Sequence, residues 1–156
     1  MRVLLYIFLS FNFTLLAQDN CNLDVDAAAK KHYKKAKRLA DGLRYSESIH
    51  NIKKALEIQS NYPDAYFLMG RIYELRNDMS NAKFYYEKTI ELCPMYSPSV
   101  YWFLASVEME DKLFKQAIIY LNSYLDFLSL SEESKLIARE KIKLCEFYYN
   151  LYSNPI

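Results

Sequence analysis

Apolar positions recur along most of this chain with the three-and-four spacing of an α-helix, and the pattern itself repeats. The clearest copy is Pro63 to Tyr96, 34 residues long. Tyr66 sits near its start, Leu68 and Met69 precede Gly70, and Tyr73 follows three residues later. Ala82 and Tyr86 lie in a second apolar run, and Pro94 closes the unit. This reads as two antiparallel helices that approach closely at the small residues Gly70 and Ala82, with large side chains filling the remaining volume. Shifted back by 34 residues, the pattern covers Ala29 to Tyr62, with Ala36 in the slot of Gly70, Ser48 in that of Ala82 and Ala55 in that of Thr89. The turn of this copy is predicted around Gly42-Leu43-Arg44, with the glycine suiting a helix end. Lys34, Lys35 and Arg38 replace Leu68, Met69 and Ile72, so the first helix is polar, as suits a terminal repeat facing water.

A third copy runs from Pro98 to Ser131, with Ser97 as an N-cap and Pro98 as the first helical residue. Ala105 and Ala117 hold the small slots, but Tyr124 replaces Ala55 and Thr89, which predicts different packing beyond the third hairpin. One more helix follows, capped by Ser131 with Glu132 and Glu133 in its first turn. It runs through Leu136, Ile137, Ile142, Leu144 and Phe147 to about Leu151, and should cover the last repeat. The expected organisation is a lead-in at 18–28, repeats at 29–62, 63–96 and 98–131, a capping helix at 132–151 and a tail at 152–156.

Residues 1–17 break the pattern. Arg2, the apolar run Val3 to Leu9, and the small Ala17 before Gln18 read as a secretory signal peptide rather than a membrane span, which needs ~20 apolar residues. The mature chain is therefore expected to be exported to the periplasm or outer-membrane periphery, without a transmembrane helix. Among 156 residues there are only two glycines, in keeping with an all-α fold, and the formal net charge of +1 argues against nucleic acid or an anionic membrane as the main partner. Cys21 raises lipid attachment, but Gln18-Asp19-Asn20 is not a lipidation box. Cys145 reads as a small buried hydrophobe on the last helix, and a Cys93–Cys145 bridge is open but not given by spacing.

The Pro63–Tyr96 unit resembles the tetratricopeptide repeat (TPR), which implies an all-α superhelix of three helix-turn-helix repeats plus a C-terminal capping helix. The signal peptide, Tyr101-Trp102-Phe103-Leu104-Ala105, Cys145-Glu146-Phe147 and Asn154-Pro155 together resemble the N-terminal TPR module of Bacteroidetes envelope proteins. Those continue into a β-propeller and often an OmpA-like domain. This sequence contains neither, so wall anchoring does not carry over.

Catalytic chemistry is thin. His32 and His50 lie on different helices, with no Cys, Asp or Glu three or four residues beyond either to complete a metal site. Neither a phosphate loop nor a hydrolase or metalloprotease motif occurs, so an enzyme or metal binder is the weakest alternative and no cofactor is expected. Pairs such as Lys83 with Glu87 and Lys88 with Glu91 read as solvated helical ion pairs.

In the TPR family the first helix of each hairpin lines the concave face. The resemblance implies that face here for Lys30, Tyr33, Lys37 and Ala40, for Asp64, Phe67, Arg71 and Glu74, and for Ser99, Trp102, Ser106 and Met109. Tyr33, Phe67 and Trp102 would give one ring per hairpin, with Lys37 and Arg71 beside them. Such rings either fill space between helices or anchor a peptide segment of another envelope protein. The asparagine and lysine set of the carboxylate-clamp group is not matched. The expected role is a non-catalytic scaffold for protein–protein interaction, with a defined peptide ligand as the alternative.

Overall fold

The computed structural model describes Cys21 and residues 24–153. The signal-peptide reading at 1–17 and the Asn154-Pro155 linker lie outside the described residues. Seven α-helices are present among those described: α1 (Ala27–Asp41), α2 (Tyr45–Ile58), α3 (Pro63–Leu75), α4 (Met79–Leu92), α5 (Pro98–Glu110), α6 (Phe114–Leu125) and α7 (Glu132–Ser153). They fall into two compact units, one up to Tyr96 and one from Ser97.

Local chemistry starts most of these helices. Asp26 accepts hydrogen bonds from the Ala28 and Ala29 amides at 2.8 and 3.2 Å, Asp78 from the Asn81 amide at 3.1 Å, and Ser97 from the Ser99 amide at 3.3 Å. Ser131 accepts from the Ser134 amide at 3.1 Å, as its sequence position predicts. Pro63 and Pro98 open α3 and α5, where a missing amide hydrogen costs nothing.

All three hairpins turn in the same way. Leu43, Asn77 and Lys112 have φ of 60°, 58° and 60°, in the left-handed region. In the first turn the Leu43 amide donates to the Ala40 carbonyl at 2.9 Å and the Arg44 amide to Leu39 at 2.8 Å. The second turn repeats this with Asn77 to Glu74 and Asp78 to Tyr73, and the third with Lys112 to Met109 and Leu113 to Glu108. This is the paired bond set that satisfies the last carbonyls of a helix. The glycine expected to serve here does not take the special conformation. Gly42 has φ −85° and the burden falls one residue later, on Leu43.

In the first unit α1 packs on α2, α3 packs on α4, and the two hairpins share one core. Ala29, Ala36, Ile52, Ala55, Tyr62, Ala65, Met69 and Ile72 form it. The small-residue slots sit where the repeat pattern puts them, with Ala36, Ala55, Ala82, Ser48 and Thr89 all fully buried. Ser48 remains buried because its hydroxyl donates to the Ala36 carbonyl at 2.8 Å. Gly70 is pressed against the Tyr86 ring: a Cβ there would lie 2.8 Å from Cδ1.

In the second unit α5 packs on α6 and α6 on α7. The last helix meets its neighbour differently from expectation. Leu136, Ile137, Leu144 and Phe147 are exposed, and the fully buried residues of α7 are Ala138 and Cys145. Two small side chains seven residues apart on one helical face let α7 lie close. Phe114 then stacks on Tyr148 and Tyr152, with ring centres at 5.4 and 5.9 Å. Among the described residues no helix is long and apolar enough to cross a membrane.

Candidate functional site

The candidate interaction residues divide between the two units. In the first, Tyr33 and Phe67 are half-buried on α1 and α3. Each leans on the aromatic residue at the end of its own repeat. Tyr33 meets Tyr62 with ring centres 5.1 Å apart, and Phe67 meets Tyr96 at 5.0 Å and Tyr86 at 5.8 Å. Tyr62 and Tyr96 are 34 residues apart, so they hold equivalent positions at the ends of the first two repeats. Asp64 joins the rings, because the Tyr96 hydroxyl donates to its carboxylate at 2.5 Å.

Burial first, then the negative charge of Asp64 and Asp41, pushes the Tyr33 hydroxyl up to about 12. Burial and Asp64 do the same for Tyr62, also to about 12. Tyr96 is raised further by burial together with its bond to Asp64. These phenols stay protonated at neutral pH, and Tyr96 donates to the Asp64 carboxylate.

Arg71, one turn beyond Phe67, is exposed, and its Nε lies 3.8 Å from Glu74. Glu74 is engaged more closely from behind, accepting from the Tyr86 hydroxyl at 2.6 Å. Lys30 and Lys37 are exposed on α1. The first unit thus brings together a half-open strip of rings, the Asp64 and Glu74 carboxylates each accepting from a phenol, and exposed cations along its edge.

In the second unit the equivalent ring is also half-buried, but its neighbours come from α6 and α7. Trp102 packs on Tyr124 at 5.2 Å, and the Lys141 ammonium of α7 lies over its face at 5.3 Å. Tyr124 is the residue that departs from the small-residue rule, and its ring takes up space beside Trp102. Ser106 donates back to the Trp102 carbonyl at 2.9 Å, and Met109 is half-buried.

His32 is half-buried and His50 exposed, and among the described residues no three His, Cys, Asp or Glu side chains converge. The ion pair expected at Lys88 and Glu91 is formed at 2.6 Å.

The cysteines pair differently from the bridge left open above. Cys21 and Cys93 form a disulfide, and Cys145 is a free, buried thiol. Cys145 sits on α7 in the second unit, whereas Cys93 caps α4 and Cys21 lies on the lead-in. Pairing with Cys93 also occupies the Cys21 sulfur that lipid attachment would need. The lead-in is held a second time, by Gln59 at the end of α2. Its side chain accepts from the Asp26 amide at 2.8 Å and donates to the Asp24 carbonyl at 3.3 Å. Spacing alone does not reveal this latch, since it depends on the ends of α2 and α4 lying on the side where the chain enters. Tyr62 and Tyr96 did leave a signal, their 34-residue separation.

Residues 63–94 match the tetratricopeptide repeat family. No curated protein matches the sequence. Among solved structures, the chain is similar to the first TPR of Spaghetti (RPAP3), bound to the HSP90 peptide SRMEEVD. The TM-score is 0.63 at 14% identity, over 80% of this chain and 99% of that one. It is also similar to the Sgt2 TPR domain from Aspergillus fumigatus, with a TM-score of 0.63 at 14% identity, over 89% of this chain and 91% of that one. Residues 63–94 thus match the tetratricopeptide repeat, and the described residues share the all-helical fold of these TPR structures.

Proposed function

We propose that this protein is an exported, non-catalytic interaction module of the bacterial envelope that binds a peptide segment of another envelope protein. The observation that carries the binding half is the half-open strip in the first unit, where Tyr33 and Phe67 rest on Tyr62 and Tyr96 beside exposed Arg71 and Lys37. Rings fixed from behind lose little entropy on contact, and cations at the rim steer acidic groups of a partner. Lys30 and Glu74 border the same strip; Trp102, Ser106 and Met109 form its counterpart in the second unit. The solved relative bound to an HSP90 peptide supports a peptide as the ligand class. The export half draws support from the leader-like residues 1–17 and from the Cys21–Cys93 disulfide, since such bonds persist in oxidising compartments. A front module of a propeller protein is one setting for this role.

Two measurements test the reading. Phe67→Ala with Arg71→Ala should leave the melting temperature nearly unchanged and abolish capture of envelope partners by the purified chain. Unfolding of that variant would assign these residues to the core and remove the groove. For export, residues 1–17 fused to a reporter active only outside the cytoplasm should give signal, and a silent fusion overturns that half.

A further inference from the structure

A different face of the first unit carries chemistry that the groove does not use. Helix α1 holds six cations between Lys30 and Arg38 and no carboxylate in that span. Lys31, Lys34, Lys35 and Arg38 are all exposed, on the side of the helix away from its buried residues Ala29, Ala36 and Leu39. Spacings of three, four and seven residues align them as one stripe about 10 Å long.

Five cations elsewhere pair with a carboxylate three residues away. Arg44 pairs with Glu47, Arg71 with Glu74, Lys88 with Glu91, Lys135 with Glu132 and Lys143 with Glu140. Among the described residues no such pair forms on the α1 stripe. Towards the groove edge, Lys34 and Arg38 of the stripe join the rim residue Lys37 and Asp41 in lining an open hollow of about 480 Å³.

We propose that this outer face of α1 docks an acidic helical segment of a partner protein, with carboxylates repeating every three to four residues along one side. Charge complementarity selects the class. A membrane surface is a poorer fit, because the stripe presents no apolar side chain for insertion, and Asp26 and Asp41 flank it at both ends. A single-stranded nucleic acid is poorer too, because the ring of this helix, Tyr33, is turned onto Tyr62 and offers no stacking platform here. Asp41 at the end of the recess favours a partner whose acidic run stops there with a neutral or basic residue.

The experiment uses the full chain and two constrained helical peptides of about 16 residues, of identical composition. In one the glutamates form a single stripe, and in the other they are spread around the helix. The striped peptide should bind about tenfold more tightly, and its binding should weaken steeply with added salt. Lys31→Glu with Lys34→Glu and Arg38→Glu should remove that binding, and Lys34→Ala with Arg38→Ala should weaken it while keeping the helical spectrum. The groove variant Phe67→Ala with Arg71→Ala should bind the striped peptide as the parent does, which separates this surface from the groove. Equal affinity for the two peptides overturns the proposal. So does unchanged binding by the charge-reversed chain, or tighter binding to phosphatidylglycerol vesicles or a single-stranded oligonucleotide.

Discussion

In the first unit the rings at the fifth slot of each repeat, Tyr33 and Phe67, lean on the aromatic that closes a repeat. In the second unit the equivalent ring, Trp102, leans on Tyr124 and lies under Lys141. The residue that makes the difference is at the repeat boundary. Tyr62 and Tyr96 end the first two repeats, whereas Ser131 ends the third and begins α7 instead. With no ring arriving from the boundary, space beside Trp102 is filled from within the hairpin by Tyr124 and from the last helix by Lys141. The same slot is therefore half-buried in both units, but its ring rests on a repeat-boundary aromatic in one and on Tyr124 and Lys141 in the other. Position within a repeat does not fix a residue's role; its neighbours in the adjoining turn do.

Breaking the disulfide should give the largest contrast between the units. Cys21 and Cys93 are separated by 72 residues, and closing a loop of that size stabilises a fold by roughly 4 kcal/mol in the chain-entropy account. Cys93→Ser is expected to speed amide hydrogen exchange in α1 to α4 far more than in α5 to α7. Cys145→Ser, which removes only a buried free thiol, should do little to the first unit. Equal acceleration in all seven helices would erase the distinction.

Next in size is Gly70→Ala. The added methyl would sit 2.8 Å from Cδ1 and 2.9 Å from Cε1 of Tyr86, so that ring must move, and with it the 2.6 Å bond to Glu74. Overpacking of this kind costs roughly 1–3 kcal/mol. The second unit already carries Ala105 at this slot, fully buried, so the reverse change Ala105→Gly should cost only about 0.5–1 kcal/mol through helix propensity. Urea midpoints for the two variants check the order.

Alkaline pH should separate the units as well. Tyr33 and Tyr62 are raised to about 12, and Tyr85, Tyr86 and Tyr96 are also raised, each chiefly by burial. A phenol whose folded value exceeds its unfolded value gives its full stability below the unfolded value, near 10. It loses that stability as pH rises through the folded one. The first unit should therefore weaken between pH 10 and about 12. In the second unit Tyr101 is raised, but Tyr149 is lowered by its bonds to Lys115 and Ser153 and works in the opposite direction. Tyrosinate absorbance at 295 nm with exchange measured in parallel reads both. Simultaneous loss of the two units below pH 10 would contradict this assignment.

The hairpins were legible because close helix packing admits few residue types: Ala36, Gly70 and Ala105 recur at one slot, and Ser48, Ala82 and Ala117 at another. The candidate strip was legible only in part. Slot counting finds Tyr33, Phe67 and Trp102, but the rings that hold them come from loops and a later helix, and Lys141 lies 39 residues from Trp102. The latch between Cys21, Cys93 and Gln59 was not legible, since it joins chain ends through the fold. On α7 the apolar residues suggested the wrong side: Leu136, Ile137, Leu144 and Phe147 are exposed, while the contact runs through Ala138 and Cys145.

The hairpin turns supply the smallest expected effect and the finest test of what is common to both units. Leu43 and Lys112 hold φ of 60° without being glycine, and a side chain in the left-handed region costs roughly 1–2 kcal/mol per residue. Both are exposed, Leu43 at 72%, so their side chains contribute little by burial in return. Leu43→Gly in the first unit and Lys112→Gly in the second should each stabilise the chain by a little under about 1 kcal/mol, after the greater freedom of glycine in the unfolded state is subtracted. Asn77→Gly should change less, because asparagine already tolerates this conformation. Measured against Leu43→Ala and against Lys112→Ala, which already removes the ammonium 5.9 Å from the Tyr152 ring, the gain should be alike in the two units, because the turn bonds from Leu43 to Ala40 and from Lys112 to Met109 are the same device. Thermal melts that rank Leu43→Gly and Lys112→Gly together, above Asn77→Gly, would locate the difference between the units in their ring packing and not in their turns. A gain at Leu43 without one at Lys112 would mean that the two hairpins close by different means.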